Sequence, residues 1–227
     1  MYELTIANKN YSSWSLRPWA LLRELQIPFT ERLLVFGQTT GWDEFRKRCP
    51  AGKVPCLIDG ATTVWESLAI AEYLAERHQG VWPEKTQARD WARCASAEMH
   101  AGFGELRSRC SMSCGIRVRL FEFPAALMRD VARISALWND GLERFGGPFL
   151  AGSAFTAVDA FFAPVAFRIQ TYGLILDERA SAYADRLLAL ASMQTWYMDA
   201  LKEKFRDEPH EAETLQAGQV LSDHRER

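Results

Sequence analysis

Asn8-Lys9-Asn10-Tyr11-Ser12-Ser13-Trp14-Ser15-Leu16-Arg17-Pro18-Trp19 lies between a strand-like start and the first helical pattern, and its reading decides the fold. Upstream, Tyr2 to Ala7 alternates and carries Leu4 and Ile6, which predicts a short strand. Downstream, Leu16, Trp19, Ala20, Leu22 and Leu25 recur at helical spacing. Pro18 falls in the first turn of that helix, where a missing N–H costs little. Ile27-Pro28 ends it near Gln26, and Phe29 to Phe36 is apolar and β-branched enough for a second strand. A helical crossover between two strands favours a parallel pair. The turn itself gathers the hydroxyls of Ser12, Ser13 and Ser15, the Tyr11 phenol and two indoles, a mixture that no apolar core requires. A strand-to-helix turn also offers free backbone N–H groups and the positive end of a helix, which suit a thiolate, carboxylate or phosphate. A plain helix N-cap with solvated neighbours is the competing reading.

Beyond a loop and a weakly helical stretch (Gly37 to Arg48), Cys56 to Ile58 reads as a strand, Asp59-Gly60 as a hairpin turn and Thr62 to Trp65 as the returning strand. Glu66-Ser67 then opens a helix with Leu68, Ile70, Ala71, Tyr73 and Leu74 at helical spacing. The order is β-α-β-α-β-β-α. After His78 the pattern becomes helical throughout. Helices are expected over Lys85 to Ser108 (weakened by Gly102 and Gly104), Pro124 to Arg144, Ala157 to Tyr172, Ala180 to Ala191 and Met193 to Phe205, while Ser111 to Phe123 is assigned no element. Ala157 to Tyr172 is apolar almost all round, which marks a buried helix. Thr156 and Asp159 before it have capping-box spacing, so Asp159 reads as a structural cap rather than a catalytic acid. The chain divides into residues 1–78, a linker at 79–83, a helical region at 84–205 and a polar, loosely held tail at 206–227.

With 27 basic and 29 acidic side chains among 227 residues the net charge is −2, which gives no support for nucleic acid or an anionic membrane as a partner. The four histidines are scattered, so no metal site is expected. Five cysteines without a C-x-x-C pair predict reduced, mostly buried thiols. Without a basic, then long apolar leader or a stretch of transmembrane length, the expectation is a soluble, cytoplasmic protein.

Three places in the first region share one logic. The first is the Tyr11–Ser15 turn. The second is Val54-Pro55, where a proline directly before a strand is a candidate cis-proline that turns the Val54 backbone outward to pair with an extended peptide. The third is Glu66-Ser67, where Ser67 and the free N–H groups at a helix start could hold a carboxylate and Glu66 an ammonium group. Together they suggest a small ligand with a peptide backbone, an amino-acid end and one atom needing activation. Plain capping by Ser67 and a trans Pro55 are the alternatives.

On Val54-Pro55, Glu66-Ser67-Leu68-Ala69-Ile70-Ala71-Glu72-Tyr73-Leu74, Phe149-Leu150-Ala151-Gly152 and Thr156-Ala157-Val158-Asp159, the chain resembles cytosolic glutathione transferases over nearly its whole length. That resemblance implies an α/β thioredoxin-like N-terminal domain plus an all-α C-terminal helical domain. Ser12-Ser13-Trp14-Ser15-Leu16-Arg17 looks most like the zeta-class motif, a Ser-Ser-Cys-Ser run followed by basic residues, in a class that includes maleylacetoacetate isomerases. It implies a serine-type enzyme in which Ser12 donates to the glutathione sulfur, Val54 holds the cysteinyl backbone, Glu66 and Ser67 bind the γ-glutamyl end and Lys53 reaches the glycyl carboxylate. Ser13 and Ser15 are left as caps. Tyr11, Trp14, Arg109 and Met112 are expected in the electrophile pocket, with Arg107 and Ser111 as further candidates. Arginines there would fit an acidic acceptor or form an ordinary solvated helix end. Tyr11 is the rival to Ser12, because other glutathione transferases use a tyrosine near this turn. Trp14 stands where the zeta motif has cysteine, which puts isomerase activity in doubt and leaves the acceptor open. The resemblance further implies glutathione as co-substrate, a small electrophile as second substrate and a homodimer. A non-catalytic interaction module on the same fold, and a glutathione-dependent isomerase or peroxidase, are the alternatives.

Overall fold

The computed structural model describes residues 1–226. Strands β1 (Tyr2–Ala7) and β2 (Phe29–Leu34) pair in parallel, Tyr2 opposite Phe29 through Ala7 opposite Leu34, across helix α1 (Ser13–Glu24). Helix α2 (Thr39–Arg48) leads to the hairpin of β3 (Cys56–Asp59) and β4 (Thr62–Trp65), and helix α3 (Ser67–Ala75) follows. β3 runs antiparallel to β1, so the sheet order is β2-β1-β3-β4. Leu4 through Ala7 are all buried, because β1 is central and covered on both faces. Leu4, Ile6 and Leu57 meet Leu16, Trp19, Ile70 and Leu74 of α1 and α3 in one cluster, and Leu34, Phe45, Cys49 and Cys56 form another with α2.

The remainder contains α4 (Thr86–Ala101), α5 (Gly104–Arg109), β5 (Ile116–Leu120), α6 (Ala125–Phe145), α7 (Ala157–Tyr172), α8 (Glu178–Ala189), α9 (Ala191–Lys202), α10 (Glu208–Ala217) and β6 (Gly218–Asp223). It is the helical second domain of a thioredoxin-like, two-domain architecture. α7 is its axis and packs against α1, α4 and α8. The Asp159 carboxylate accepts from the Thr156 N–H at 2.9 Å, the Leu150 N–H at 3.0 Å and the Tyr183 hydroxyl at 2.8 Å, all within the core. It caps α7 and ties the preceding loop and α8 to it. No helix among the described residues is long and apolar enough to cross a membrane.

Two expectations need correction. The single helix over 85–108 breaks at Gly102, which is extended with ψ −164, and resumes after Phe103 at φ 56. A Cβ on Gly102 would lie 2.8 Å from the Glu98 carbonyl oxygen, so the turn needs a glycine for its close approach. The larger correction concerns the tail. Residues 206–227 are expected to be loosely held; residue 227 lies outside the described residues, and the unassigned 111–123 segment supplies the reason 206–226 are not. β5 and β6 pair antiparallel, Ile116 opposite Asp223 and Leu120 opposite Gly218, with an irregularity at Arg117/Val118. Ile116, Val118 and Leu120 point into the core while the alternate side chains face out. Asp207 caps α10, and Pro209 occupies its first turn. The helical domain therefore carries a two-stranded ribbon as well.

Candidate functional site

The Asn8–Ser12 turn is closed by the Tyr11 and Ser12 N–H groups, which donate to the Asn8 carbonyl at 3.1 and 2.9 Å. It is not solvated. Asn8, Lys9 and Asn10 are buried, with the Lys9 ammonium between Glu31 (2.9 Å) and Asp199 (2.8 Å). Ser12 stands at the N-cap of α1 without a side-chain capping bond, and its hydroxyl donates to Ser15 at 2.7 Å. Ser15 in turn accepts from the Ala7 N–H at 3.2 Å, and Ser13 accepts from Arg168 at 3.3 Å. Neither performs the capping role expected of it.

Ser12 opens onto a cavity of about 440 Å³ between the two domains. Tyr11, Ser13 and Trp14 from the turn, Lys53 and Val54 from the loop before β3, and Arg107, Ser111 and Met112 from the second domain line the same space. An adjoining cavity of about 250 Å³ shares Trp14, Lys53 and Val54 and extends to Pro55, Trp65 and Glu66. The Val54–Pro55 peptide bond is cis. Glu66 sits at φ 69 directly before α3, and Ser67 behind it is buried. The predicted residues thus converge with two exceptions. Ser67 lies behind the second cavity rather than in its wall. Arg109 is exposed and ion-paired to Glu105 (2.9 Å) and Glu122 (3.0 Å), lining a separate surface depression instead. Arg107, two residues earlier on α5, faces the cavity in its place.

Tyr11 contributes its ring to the wall, but its hydroxyl is engaged by the C-terminal region. It donates to Glu211 at 2.6 Å and accepts from Arg225 at 3.3 Å. Burial and the Glu211 carboxylate push this phenol well above the usual tyrosine range. His210 stacks on the Tyr11 ring at 5.0 Å and, with Glu213, completes the far side of the cavity.

Several contributors were not anticipated. Arg17, 2 % exposed, places its guanidinium 4.1 Å from the centre of the Trp14 ring and donates to the Ser67 hydroxyl at 3.5 Å, while its Nε has no partner. Arg168 is buried and donates to the Cys110 and Pro164 carbonyls and to Ser13. Burial, then the neighbouring Arg168 and Arg107 charges, push Arg17 down to about 9; burial brings Arg168 down to about 10. Both remain cationic at neutral pH. His100, edge-on to Trp14 at 5.3 Å, is held below the usual histidine range by burial and then by Arg17. Arg168 could have been found from its place as the sole basic residue on the apolar helix α7. Phe36, Trp42, His210 and Glu213 carried no comparable signal. Among the described residues no group of three or more His, Cys, Asp or Glu is placed to hold a metal ion.

Residues 11–77 match the family described as glutathione S-transferase, N-terminal domain, and residues 89–189 match glutathione S-transferase, C-terminal domain. A dichloromethane dehalogenase from Methylorubrum extorquens is 46% identical over 59 residues, which covers 25% of this chain and only 20% of that relative. Among solved structures, a glutathione transferase homologue from Burkholderia with bound glutathione superimposes with TM-score 0.65 at 20% identity, covering 88% of this chain and 97% of the other. Glutathione transferase Omega 3C from Trametes versicolor does so with TM-score 0.67 at 18% identity, covering 90% of each chain. At such identities the superpositions establish the fold alone. With both domain families matched in order along the chain and the same architecture recovered in solved structures, the chain belongs to the glutathione transferase superfamily.

Proposed function

We propose that this protein is a serine-type glutathione transferase that activates the glutathione thiol at Ser12 for attack on a small electrophile. The observation that carries the reading is that the Ser12 turn and the cis Val54–Pro55 step open onto the same cavity. Val54 would pair with the cysteinyl backbone, and Ser67 with the N–H groups of α3 would take the γ-glutamyl carboxylate. Arg17, whose guanidinium already approaches Ser67, adds a charge to that carboxylate. Glu66 would meet the ammonium group and Lys53 the glycyl carboxylate.

A thiol of pKa near ~8.5 is only a few per cent ionised at neutral pH. Lowering it by about two units requires ~2.7 kcal/mol. The Ser12 hydroxyl would have to turn from Ser15 to the sulfur, exchanging one hydrogen bond worth ~1 kcal/mol for a stronger one to an anion. The α1 N-terminus adds a favourable field. The thiolate then attacks the electrophilic carbon, and the leaving group departs with its bonding pair. Trp14 in place of the zeta-class cysteine supports a pocket shaped for other acceptors than that class uses. A homodimer and a cytoplasmic location belong to the same reading, and light scattering on the purified chain tests the dimer.

Retention on immobilised glutathione, weakened by Ser67→Ala, and glutathione-dependent turnover on an acceptor panel, reduced by about 100-fold in Ser12→Ala, are the expected results. Absence of binding at millimolar glutathione would remove the reading in favour of a non-catalytic module. Full activity in Ser12→Ala would remove the serine assignment.

A further inference from the structure

Arg107 and Arg109 sit two residues apart on α5 and meet different surroundings. Arg109 points outward and is neutralised by Glu105 and Glu122. Arg107 points into the cavity, where it donates to the His100 carbonyl at 3.1 Å and lies 5.4 Å from the Trp14 ring centre. Arg168 reaches the same cavity from α7, buried, with its three hydrogen bonds going to neutral oxygens. Arg17 stands on the same indole as Arg107. The hydrogen bonds of all three guanidinium groups end on carbonyl or hydroxyl oxygens, so the wall at Arg107 and Arg168, with Arg17 buried behind Trp14, carries positive charge that no carboxylate hydrogen-bonds. The acids nearest to it, Glu66 and Glu213, are both exposed.

Buried like charges without counter-ions are unfavourable, and the cluster becomes favourable when an anion enters it. Glutathione has its own assigned contacts at Ser67, Arg17 and Lys53, which leaves Arg107 and Arg168 facing the part of the cavity meant for the second substrate. That part also presents the Trp14 and Tyr11 rings and the Met112 side chain, beside the hydroxyls of Ser13 and Ser111.

Resting on the transferase reading above, we propose that the acceptor is an anion: a planar aryl or conjugated electrophile whose carboxylate is seated by Arg107 and Arg168 with its reactive carbon toward Ser12. Trp14 holds Arg107 in place by offering its π face, which gives the departure from the zeta motif a physical role. In the aryl case the sulfur forms a bond to the ring carbon, the carbon–halogen bond breaks, the halide leaves with the electron pair, and the thiol proton passes to solvent.

The test compares a chlorodinitrobenzoate with its methyl ester, each normalised to its uncatalysed rate with glutathione. The wild type is expected to favour the acid by about tenfold or more in kcat/KM. Added salt should erode that ratio, Arg107→Met should cut it by about tenfold, and Arg107→Lys should restore part of it. A normalised ratio near one overturns the proposal. So does an Arg107→Met variant that slows acid and ester by the same factor, since the guanidinium would then be acting on the thiolate. If neither acceptor is turned over above background, the transferase reading fails, and calorimetric binding of the unreactive dinitrobenzoate and its methyl ester decides the anion seat separately. Preference for the acid that disappears in Arg107→Met sustains the seat; equal binding overturns it.

Discussion

Tyr11→Phe separates a catalytic tyrosine from a structural one. The substitution keeps the ring, with its 5.0 Å stack on His210, and removes one hydroxyl. That hydroxyl donates to Glu211 at 2.6 Å and accepts from Arg225, which is itself held by Glu211 and Asp223 and whose side chain is only 5% exposed. A hydrogen bond to a carboxylate contributes about 1.5–3 kcal/mol, and Glu211 keeps Arg225 as a partner, so the loss should fall at the low end, about 1–2 kcal/mol. For a chain of this size that lowers Tm by roughly 2–8 °C. The pH dependence of stability provides a second measure. Burial works against ionisation of Glu211, but hydrogen bonds from Arg225 and Tyr11 outweigh it and hold the carboxyl below its usual 4.5. The contribution is therefore fully present above 4.5 and is lost as pH falls through the lower folded value. Tyr11→Phe should make that acid loss shallower. Transferase activity should stay within a few-fold and its pH profile should not move, because a phenol held by a carboxylate has no ready proton for a sulfur. Thermal denaturation at several pH values and initial-rate kinetics check both halves. A loss of 100-fold in kcat with unchanged Tm would refute the reasoning and return the catalytic role to Tyr11.

Burial pushes the Asp159 carboxyl up to about 6, against the pull of its hydrogen bonds and above its ordinary 3.8. The folded state thus holds this proton more tightly than the unfolded chain. The contribution is complete below about pH 4 and declines as pH rises through about 6, a loss of roughly 3 kcal/mol. Urea midpoints at half-unit pH steps should show a shallower decline for Asp159→Asn, and Asp159→Ala should cost about 3 kcal/mol or more by leaving the Leu150 and Thr156 N–H groups and the Thr156 and Tyr183 hydroxyls without their acceptor. In Gly141→Ala, helix propensity favours alanine by about 1 kcal/mol. The added Cβ, however, would lie 2.6 Å from the Leu150 carbonyl oxygen and 2.4 Å from Trp91, so a net loss of about 1–3 kcal/mol is expected in chemical denaturation. A chain stopped after Ala217 lacks β6 and Arg225, and its β5 amides should exchange with solvent far faster than those of the full chain.

The N-terminal fold could be read almost entirely from the sequence because its signals are local. Ile27-Pro28 ends α1, Asp59-Gly60 turns the hairpin, and the crossover rule fixes β1 against β2, although Pro18 lies inside α1 rather than in its first turn. α7 was equally legible, since a helix apolar on every face has only one place to go. The β5–β6 ribbon was not. Ile116-Arg117-Val118-Arg119-Leu120 alternates as a strand should, but its partner lies about a hundred residues away and offers only Val220 and Leu221 as large apolar residues. Pairing of that kind is set by tertiary context rather than propensity. The cavity was legible in its first-domain half, where Ser12, Val54 and Glu66 stand in recognisable local frames. Its second half depended on which way α5 faces. That choice follows from the break at Gly102 and puts Arg107, not Arg109, inside.

The polar run Asn8-Lys9-Asn10 can be buried because the C-terminal region satisfies it. The Lys9 N–H donates to Glu203 at 2.6 Å, the Asn10 side-chain amide to the Ala200 carbonyl at 2.5 Å, and the Trp196 indole to the Lys9 carbonyl at 2.8 Å. Tyr11, the next residue, is held by Glu211 and Arg225. Four consecutive residues leading to Ser12 are thus packed or hydrogen-bonded against residues beyond 195, or, for Asn8, against the strand exit at Phe36. A hydroxyl meant to meet one sulfur atom must be placed to within a fraction of an ångström, and a free strand-to-helix loop would not achieve this. The position of Ser12 is consequently a property of both ends of the chain. The backbone from which Ser12 projects is held by the Lys9 and Asn10 contacts to Trp196, Ala200 and Glu203, so weakening α9 should disturb the proposed thiolate site even where no residue of the cavity is changed.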